Sequence, residues 1–516
     1  MSPWWTAALV MALIVPRLVR MAWPQVWIED ESYLNCAFML ATGHAPYTSF
    51  PMPHFPLLEG LLALVMQVFP ASIRTAETLT QIAAFAASVA VWRLGRTLGG
   101  RVCGVAAALI VATSPLLFRY HVFEREVYLI VPVLAAAWLA LRPELVDRRA
   151  ADRRALLMGL LLALAMAVKL TAVAYVGAFF LYLWIERRRR DAIVTAAAAA
   201  ALVGVTAAAL WATFGMPFMA QVVLFRLLHA SFHTVGGQFQ EFLHSLDVEF
   251  AFGLVGLALI VWTGRLRAWL LPLLNLACGI VLLVVLNSTF WAHDSIELLP
   301  WFALFGGALV ADVAAAWRRR PAAGGARRVT RALAAVAVAA AIGLLAFVTP
   351  IDHPGWGPGA WSGYGLGYRD RTEIDRIAAF IRARTTPAQR VAVPPIIAFE
   401  ANRPELVVYP ELAGTMMQIE RDVTKRGVWW TLRRSGIGRD VFWNEVASSR
   451  EVWQPRLLAA IRQHRIGAVV DSSPADLFPV PLIDVPDAAL REAGYAPTLT
   501  TQHYTVWTIG SGDTGR

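Results

Sequence analysis

Apolar segments long enough to cross a bilayer recur over the first two-thirds of this 516-residue chain. A helix needs roughly 20 apolar residues to span the hydrocarbon core. Stretches of that kind lie at 4–22, 75–95, 102–119, 126–142, 191–213, 268–287, 296–317 and 329–349, with a shorter one at 250–264. A longer stretch, 155–186, is interrupted by Lys169 and reads as a tight helical hairpin, which brings the expected spans to eleven. In lipid only helices and closed barrels satisfy every backbone polar group, so runs of this length restrict the fold to a bundle of helices. Charge agrees. Only 16% of the residues are charged, whereas soluble domains carry about 25%.

The run 56–70 is also apolar, but it is short and bounded by Pro56 and Pro70. It is expected to lie along the membrane face, and the distribution of loop charge tests this. With the N-terminus inside, the cytoplasmic loops hold Arg93, Arg96 and Arg101, then Arg142, Arg148, Arg149, Arg153 and Arg154, then Arg187 through Arg190. Arg265, Arg267, Arg318 through Arg320, Arg327 and Arg328 continue the set. The alternate loops hold few cations, among them Arg119, Arg125, Lys169 and Arg226, while Arg17 and Arg20 fall on the unexpected side. A crossing at 56–70 would invert every later loop and destroy the bias. The net charge of +10 therefore belongs to cytoplasmic loops and does not indicate nucleic acid. The first segment lacks a basic n-region and a small-residue cleavage site, so 4–22 is expected to be a retained helix. Cys36, Cys103 and Cys278 are too scattered for a disulfide framework or a metal cluster.

An odd number of spans places the C-terminal tail outside. After Pro350 comes a Gly/Trp-rich linker and then a change of character. Residues 371–384 have helical periodicity, 390–393 and 467–471 read as short strands, a helix is expected near 455–465, and 498–509 alternates like a hairpin edge. The expected organisation is a polytopic α-helical membrane domain, 1–350, followed by an extracytoplasmic soluble α/β domain, 351–516.

Under this topology the unusual polar residues gather on the outer face. The first outer loop brings the adjacent carboxylates Asp30 and Glu31, with Tyr47 and His54 further along. Carboxylates at the mouth of a membrane helix are costly to desolvate, so such a pair marks a functional candidate, although a solvated loop charge is the plainer reading. The second outer loop packs Arg119, Tyr120, His121, Glu124, Arg125 and Glu126 into eight residues. The fourth adds Arg226, His229, His233 and His244, and the fifth Trp291, His293 and Asp294. Lys169 is one of two lysines, with Lys425, among 46 basic residues, so a lysine at an apolar site is not compositional drift. It either snorkels from a helix end or meets a lipid-borne phosphate, and Arg119 and Arg125 could serve the same anion or act as interfacial anchors. The histidines lack a zinc-ligand spacing such as His-x-x-x-His with a nearby carboxylate. The acidic pair with Glu124 or Glu126 could hold a hard divalent cation.

These groups suit one reaction class. A sugar on a polyprenyl phosphate already carries a good leaving group, so the enzyme needs a base for the acceptor hydroxyl and cations for the departing phosphate. Asp30 as base and Lys169 with an arginine as phosphate clamp would suffice, and a single displacement would invert the anomeric centre.

The order of motifs resembles the GT-C superfamily of membrane glycosyltransferases, in particular the branch with protein O-mannosyltransferases and lipid A aminoarabinose transferases. The resemblance rests on Asp30-Glu31 followed by Tyr33 and the run to Leu40, on Gly43, Pro46 and Tyr47, and on Pro56-Leu57 opening the surface helix. Leu94-Gly-Arg-Thr-Leu-Gly99 and the run ending at Lys169 continue it, over roughly residues 1–350. It implies that Asp30 is the catalytic base, beside Glu31, and that Lys169 approaches the lipid phosphate. Where the family often has an Asp in the second outer loop, this chain has Glu124 and Glu126, and Glu126 directly precedes an aromatic and apolar run. The family's lysine before its Pro-Pro-Leu segment is replaced here by His54 and Phe55. Asp30, Glu31 and Glu126 are thus expected in catalysis, and Lys169, Arg119, Arg125, His54, Tyr47, Glu124 and His293 in substrate binding. The expected donor is a polyprenyl-phosphate sugar and the acceptor a hydroxyl of a lipid, glycan or protein, at the outer face of the cytoplasmic membrane.

Two other readings stand beside this one. A transporter or flippase of lipid-linked sugars would place polar residues near the middle of several spans, in broken helices related by internal symmetry. A non-catalytic envelope scaffold would leave the acidic pair and Lys169 without a purpose. In the C-terminal segment, Trp429 and Trp430 with Met416 and Met417 form either a plain core or an aromatic sugar platform.

Overall fold

The computed structural model describes residues 3–22, 25–28, 32–119, 122–143, 147–225, 248–286, 292–319, 367–406, 410–428, 451, 454–472 and 485–509. Helices fall on every expected span except 329–349, which lies outside the described residues. Ile73–Thr113, Arg189–Phe214, Leu266–Val285 and Leu299–Trp317 are long and apolar enough to cross a membrane by length and composition. The protein is a multi-pass helical membrane protein with a C-terminal α/β region.

The chain packs as two compact units. One comprises Met1–Ala22, Leu79–Thr206 and Val235–Ile351; the other comprises Trp23–Thr78, Ala207–Thr234 and Asp352–Arg516. A single cut at 350 would leave the first outer loop and 207–234 with the membrane helices. In the structure both pack with the C-terminal segment.

The 41 residues of Ile73–Thr113, which lie in the first unit from Leu79 onward, would run to about 60 Å as one rod, twice the hydrocarbon thickness. Gly100 breaks the rod with φ 84° and ψ −174°, a backbone conformation that a side chain opposes. The two arms then meet closely, since a Cβ on Gly95 would lie 2.8 Å from the Gly104 Cα. The two expected spans 75–95 and 102–119 are these arms. Helix Pro3–Ala22 packs Leu13 on Ala108 and Ala112 of the second arm. Arg17 and Arg20, the exceptions to the loop-charge bias, are both buried, and Arg17 Nη2 donates to the Val111 carbonyl at 3.3 Å. Helices Val248–Trp262 and Leu299–Arg319 approach more closely still. A Cβ on Gly256 would come 2.0 Å from the Phe305 carbonyl oxygen. Small residues permit such contacts where lipid removes the apolar drive to associate.

In the second unit, the expected surface helix is Leu57–Val65, nine residues and about 14 Å long, too short to cross. Its Leu57, Leu61 and Leu64 are exposed and its Leu58 and Leu62 buried, as suits a helix with an apolar outer face. The soluble part follows the expected order. Asp370 caps helix Arg371–Arg384 by accepting from the Thr372 backbone N–H at 2.8 Å. Strands β3 (Arg390–Ala392), β4 (Ile466–Ser472), β5 (Tyr495–Thr500) and β6 (Tyr504–Ile509) form a sheet in the order β3-β4-β6-β5, parallel at β3–β4 and antiparallel elsewhere. Leu457 and Ile461, from a helix over 454–462, close its core with Ile466, Val469, Leu490 and Trp507. Met416 is buried on helix Pro410–Arg426, while Trp429 and Trp430 lie outside the described residues. One pairing was not legible in the sequence: β1 (Gln25–Ile28) runs antiparallel to β2 (Gly367–Asp370), with Gln25 opposite Asp370 and Ile28 opposite Gly367.

Candidate active site

Lys169 stands where a helix fails. Helix Arg148–Val168 ends at a residue with φ −152° and ψ 126°, and a 3-10 turn over Leu170–Ala172 leads into helix Val173–Ile185. The interruption at Lys169 is the one expected from the sequence. It frees the side chain from the helical row and lets the ammonium reach three carboxylates. Lys169 Nζ donates to Glu126 Oε1 and to Asp294 Oδ1, and lies 3.2 Å from Glu297 Oε1.

Each carboxylate comes from an element terminus. Glu126 is in the first turn of helix Arg125–Ala140, where the free backbone N–H groups favour an anion. Asp294 and Glu297 lie three residues apart on the 3-10 turn Ala292–Glu297, which leads into helix Leu299–Arg319. Glu297 is held from a second side: Thr171 Oγ1 donates to its Oε1 at 3.0 Å, and the Tyr175 hydroxyl donates to its backbone carbonyl at 3.0 Å. The neighbouring Arg125 is 1% exposed and donates from Nη1 to the Val168 carbonyl at 3.0 Å, which ties the start of one helix to the end of the other. Thr80 braces the same helix through the Tyr128 hydroxyl at 2.8 Å.

The cluster is deeply buried. The side chains of Glu126, Asp294 and Glu297 are at most 2% exposed, and that of Lys169 is 11% exposed. His293 adds a ring nitrogen 3.9 Å from Glu126 Oε1. Glu124, Glu126 and His293 offer ligand atoms within 4.8 Å of one another, as do Glu126, Asp294 and Glu297. Lys169 thus faces the carboxylates of Glu126, Asp294 and Glu297, with Glu124 beside Glu126. Buried charge of that kind needs compensation.

The structure therefore brings together Glu124, Arg125, Glu126, Lys169 and His293 of the expected residues. Asp294, noted in the sequence only as a polar loop residue, and Glu297 join them. The run His293-Asp-Ser-Ile-Glu297 carried the missed signal: three ionisable residues within five positions at the start of an apolar span. Lys169 is engaged by carboxylates here, whereas the sequence suggested that it faces a phosphate. Asp30 and Glu31 lie outside the described residues, as do His229, His233, His244, Trp291 and the Arg119 side chain.

Tyr47 and His54 belong to the other compact unit. Tyr47 has φ 66° and is buried between Phe214 and Phe218, with ring centroids 5.3 Å away in each case. Its hydroxyl donates to the His54 carbonyl at 2.7 Å, and the His54 ring meets Tyr33 edge-on at 5.5 Å. Gln221 fixes the same loop, donating to the Tyr47 carbonyl and accepting from the Met52 backbone N–H, both at 2.8 Å.

Comparison with known proteins agrees with this architecture. Residues 52–214 match the family model for dolichyl-phosphate-mannose-protein mannosyltransferase. No relative among curated proteins matches the chain. The structure of ArnT from Cupriavidus metallidurans bound to undecaprenyl phosphate is similar with a TM-score of 0.64 and 13% identity, covering 99% of both chains. The archaeal oligosaccharyltransferase AglB from Archaeoglobus fulgidus, in complex with an inhibitory peptide and a dolichol-phosphate, is similar with a TM-score of 0.56 and 13% identity. That match covers 91% of this chain and 70% of AglB. The segment 52–214 is thus similar to the protein mannosyltransferase family, and the fold as a whole is similar to that of ArnT and AglB.

Proposed function

We propose that the protein transfers a sugar from a polyprenyl-phosphate donor to an acceptor hydroxyl at the outer face of the cytoplasmic membrane, with inversion. The observation that carries this reading is the buried cluster of Lys169, Glu126, Asp294 and Glu297, built at helix termini in a fold whose solved relatives hold polyprenyl phosphates. A membrane scaffold has no use for four ionisable groups gathered at such cost.

In the proposed reaction the Asp30 carboxylate, with Glu31 beside it, takes the proton from the acceptor hydroxyl. The acceptor oxygen forms its bond to the anomeric carbon as the bond to the lipid phosphate breaks, and the phosphate leaves with the electron pair. The donor needs no acid because its leaving group is already an anion of low basicity. Arg119 and Arg125 serve the departing phosphate, with His54 and Tyr47 shaping the sugar side. Lys169 holds Glu126 and Asp294 in one arrangement and adds positive charge next to the anion. Glu124, Glu126 and His293 fit a hard divalent cation, which would add positive charge beside the phosphate. The acceptor is a lipid, glycan or protein hydroxyl, and the C-terminal segment takes part in its selection.

The test is Asp30→Asn in membranes supplied with polyprenyl-phosphate sugars. Transfer should fall by roughly a hundredfold or more while donor binding persists, because the variant keeps shape and loses the base. Undiminished transfer by this variant would remove Asp30 from the mechanism.

A further inference from the structure

The end of helix Arg125–Ala140 remote from Glu126 carries a second group of charges, which the proposed reaction does not use. Trp138 stands there, about 18 Å along the helix axis from Glu126. Two guanidiniums meet its indole. Arg142, from the turn after the helix, has its Cζ 3.8 Å from the ring centroid. Arg93, from helix Ile73–Thr113, has its Cζ 5.4 Å from the same centroid. Both lie within cation–π reach. Both arginines are exposed, and Trp138 is partly buried.

The turn that presents Arg142 is fixed from behind. Arg154 is buried and donates from Nη1 to the Arg142 carbonyl at 3.5 Å and to the Pro143 carbonyl at 2.7 Å. Arg188 donates from Nη1 to the Ala140 carbonyl at 2.7 Å. These donors satisfy carbonyls that a helix end leaves without intrahelical partners. Asp191 offsets their charge: its Oδ2 accepts from Arg188 Nη2 at 2.7 Å and lies 3.8 Å from Arg154 Nη2. Arg190, next in sequence, donates to both oxygens of Asp152, at 2.7 and 2.8 Å. Arg93 and Arg142 are the contrast. Among the described residues neither pairs with a carboxylate, and it is the indole that gathers them.

Two like charges gathered at one ring repel each other, and an anion between them reverses the sign of that interaction. A guanidinium stacked on an aromatic ring keeps its N–H edge for a phosphate, which it binds through paired hydrogen bonds. The neighbouring surface is apolar. Helix Arg148–Val168 starts at the same end, packs on helix Arg125–Ala140, and exposes Leu156, Leu157, Leu160 and Leu164. A phosphate that carries acyl chains suits both features; a free phosphate suits only the first.

We propose that Arg93, Arg142 and Trp138 form a site for the headgroup phosphate of an anionic phospholipid, in the leaflet opposite the Lys169 cluster. Anionic lipid attracts arginines near a membrane surface in general. This site adds a fixed pair of donors on an aromatic base, held in place by Arg154 and Arg188.

The test is thermal unfolding of the full-length protein in a neutral detergent, titrated with phosphatidylglycerol. The melting temperature should rise by about 5 °C, and by less than about 1 °C with phosphatidylcholine or inorganic phosphate. Without lipid, Arg93→Gln/Arg142→Gln should melt within about 2 °C of the wild type, because both side chains are exposed. With phosphatidylglycerol it should lose more than half of the rise. Arg149→Gln/Arg153→Gln removes two exposed arginines that do not touch Trp138, and should keep the rise. No rise in the wild type, or a full rise in Arg93→Gln/Arg142→Gln, would overturn the proposal. An equal loss in both double variants would also overturn it, by reducing the effect to the general field of the arginines. So would an equal rise with phosphatidylcholine, which needs no anionic site, or with inorganic phosphate, which would make the ligand a free anion.

Discussion

Lys169 and Asp294 are 125 positions apart in sequence, yet their side chains are directly paired inside the protein. The same ammonium holds Glu126, so it joins the start of helix Arg125–Ala140 to the turn that precedes helix Leu299–Arg319. Lys169→Met would leave three carboxylates without their shared counter-ion. Removing one partner of a buried ion pair costs about 3–5 kcal/mol. A large drop in thermal stability is expected, partly recovered by Lys169→Met/Asp294→Asn. A variant as stable as the wild type would show that the cluster is compensated by other means.

Glu126→Gln keeps the side chain's volume and removes its charge. In the proposed reading transfer falls by roughly a hundredfold, with far less loss of stability than in Lys169→Met. The measurement is initial transfer rate set against melting temperature for the two variants. Parallel losses in both quantities would reduce Glu126 to a structural role.

What the sequence disclosed depended on distance along the chain. The described span positions, the short helix at Leu57–Val65, the break at Lys169 and the strands near 390–393 and 467–471 all follow from local periodicity and breaker residues. Long-range partners do not. Nothing in a composition window pairs β1 with β2, or Asn35 with Glu405 across 370 positions. Glu297 escaped notice because a lone carboxylate at the head of an apolar run resembles an ordinary helix-start charge. Arg17 misled in the opposite direction: loop-charge counting treats every arginine as a topology signal, whereas this one is buried against a backbone carbonyl.

Helix contact without side chains sets a second expectation. An added methyl at Gly256 would meet the Phe305 carbonyl oxygen at 2.0 Å, whereas one at Gly204 meets nothing within 4 Å. Gly256→Ala should destabilise the protein by about 1–3 kcal/mol or more through overpacking. Gly204→Ala should be neutral or stabilise by up to about 1 kcal/mol through helix propensity. Thermal unfolding of the two variants in one detergent distinguishes the sites. Equal behaviour would mean that the helices Val248–Trp262 and Leu299–Arg319 are not in such close contact.

The soluble part should respond to acid through Glu373. Burial pushes its carboxyl up, but hydrogen bonds from Thr501 and His503 outweigh this and hold it below the ordinary value of 4.5. Its Oε1 accepts from the His503 backbone N–H at 3.0 Å and its Oε2 contacts the ring Nδ1 at 2.7 Å. A depressed folded-state value means the contribution is complete above pH 4.5 and fades as pH falls through the lower, folded value. The stability difference between wild type and Glu373→Gln should thus be constant at neutral pH and shrink in that acid range. A difference unchanged down to full protonation would contradict the contact.

The most direct measurement of the central claim is turnover of an α- or β-defined polyprenyl-phosphate sugar by the purified protein, with the anomeric configuration of the product read by NMR. Release of free polyprenyl phosphate, matched by a glycoside of inverted configuration and abolished by Asp30→Asn, is the predicted result. Product of retained configuration would contradict the single displacement, and no turnover across pentose, hexose and aminosugar donors would contradict the assignment as a polyprenyl-phosphate-dependent transferase.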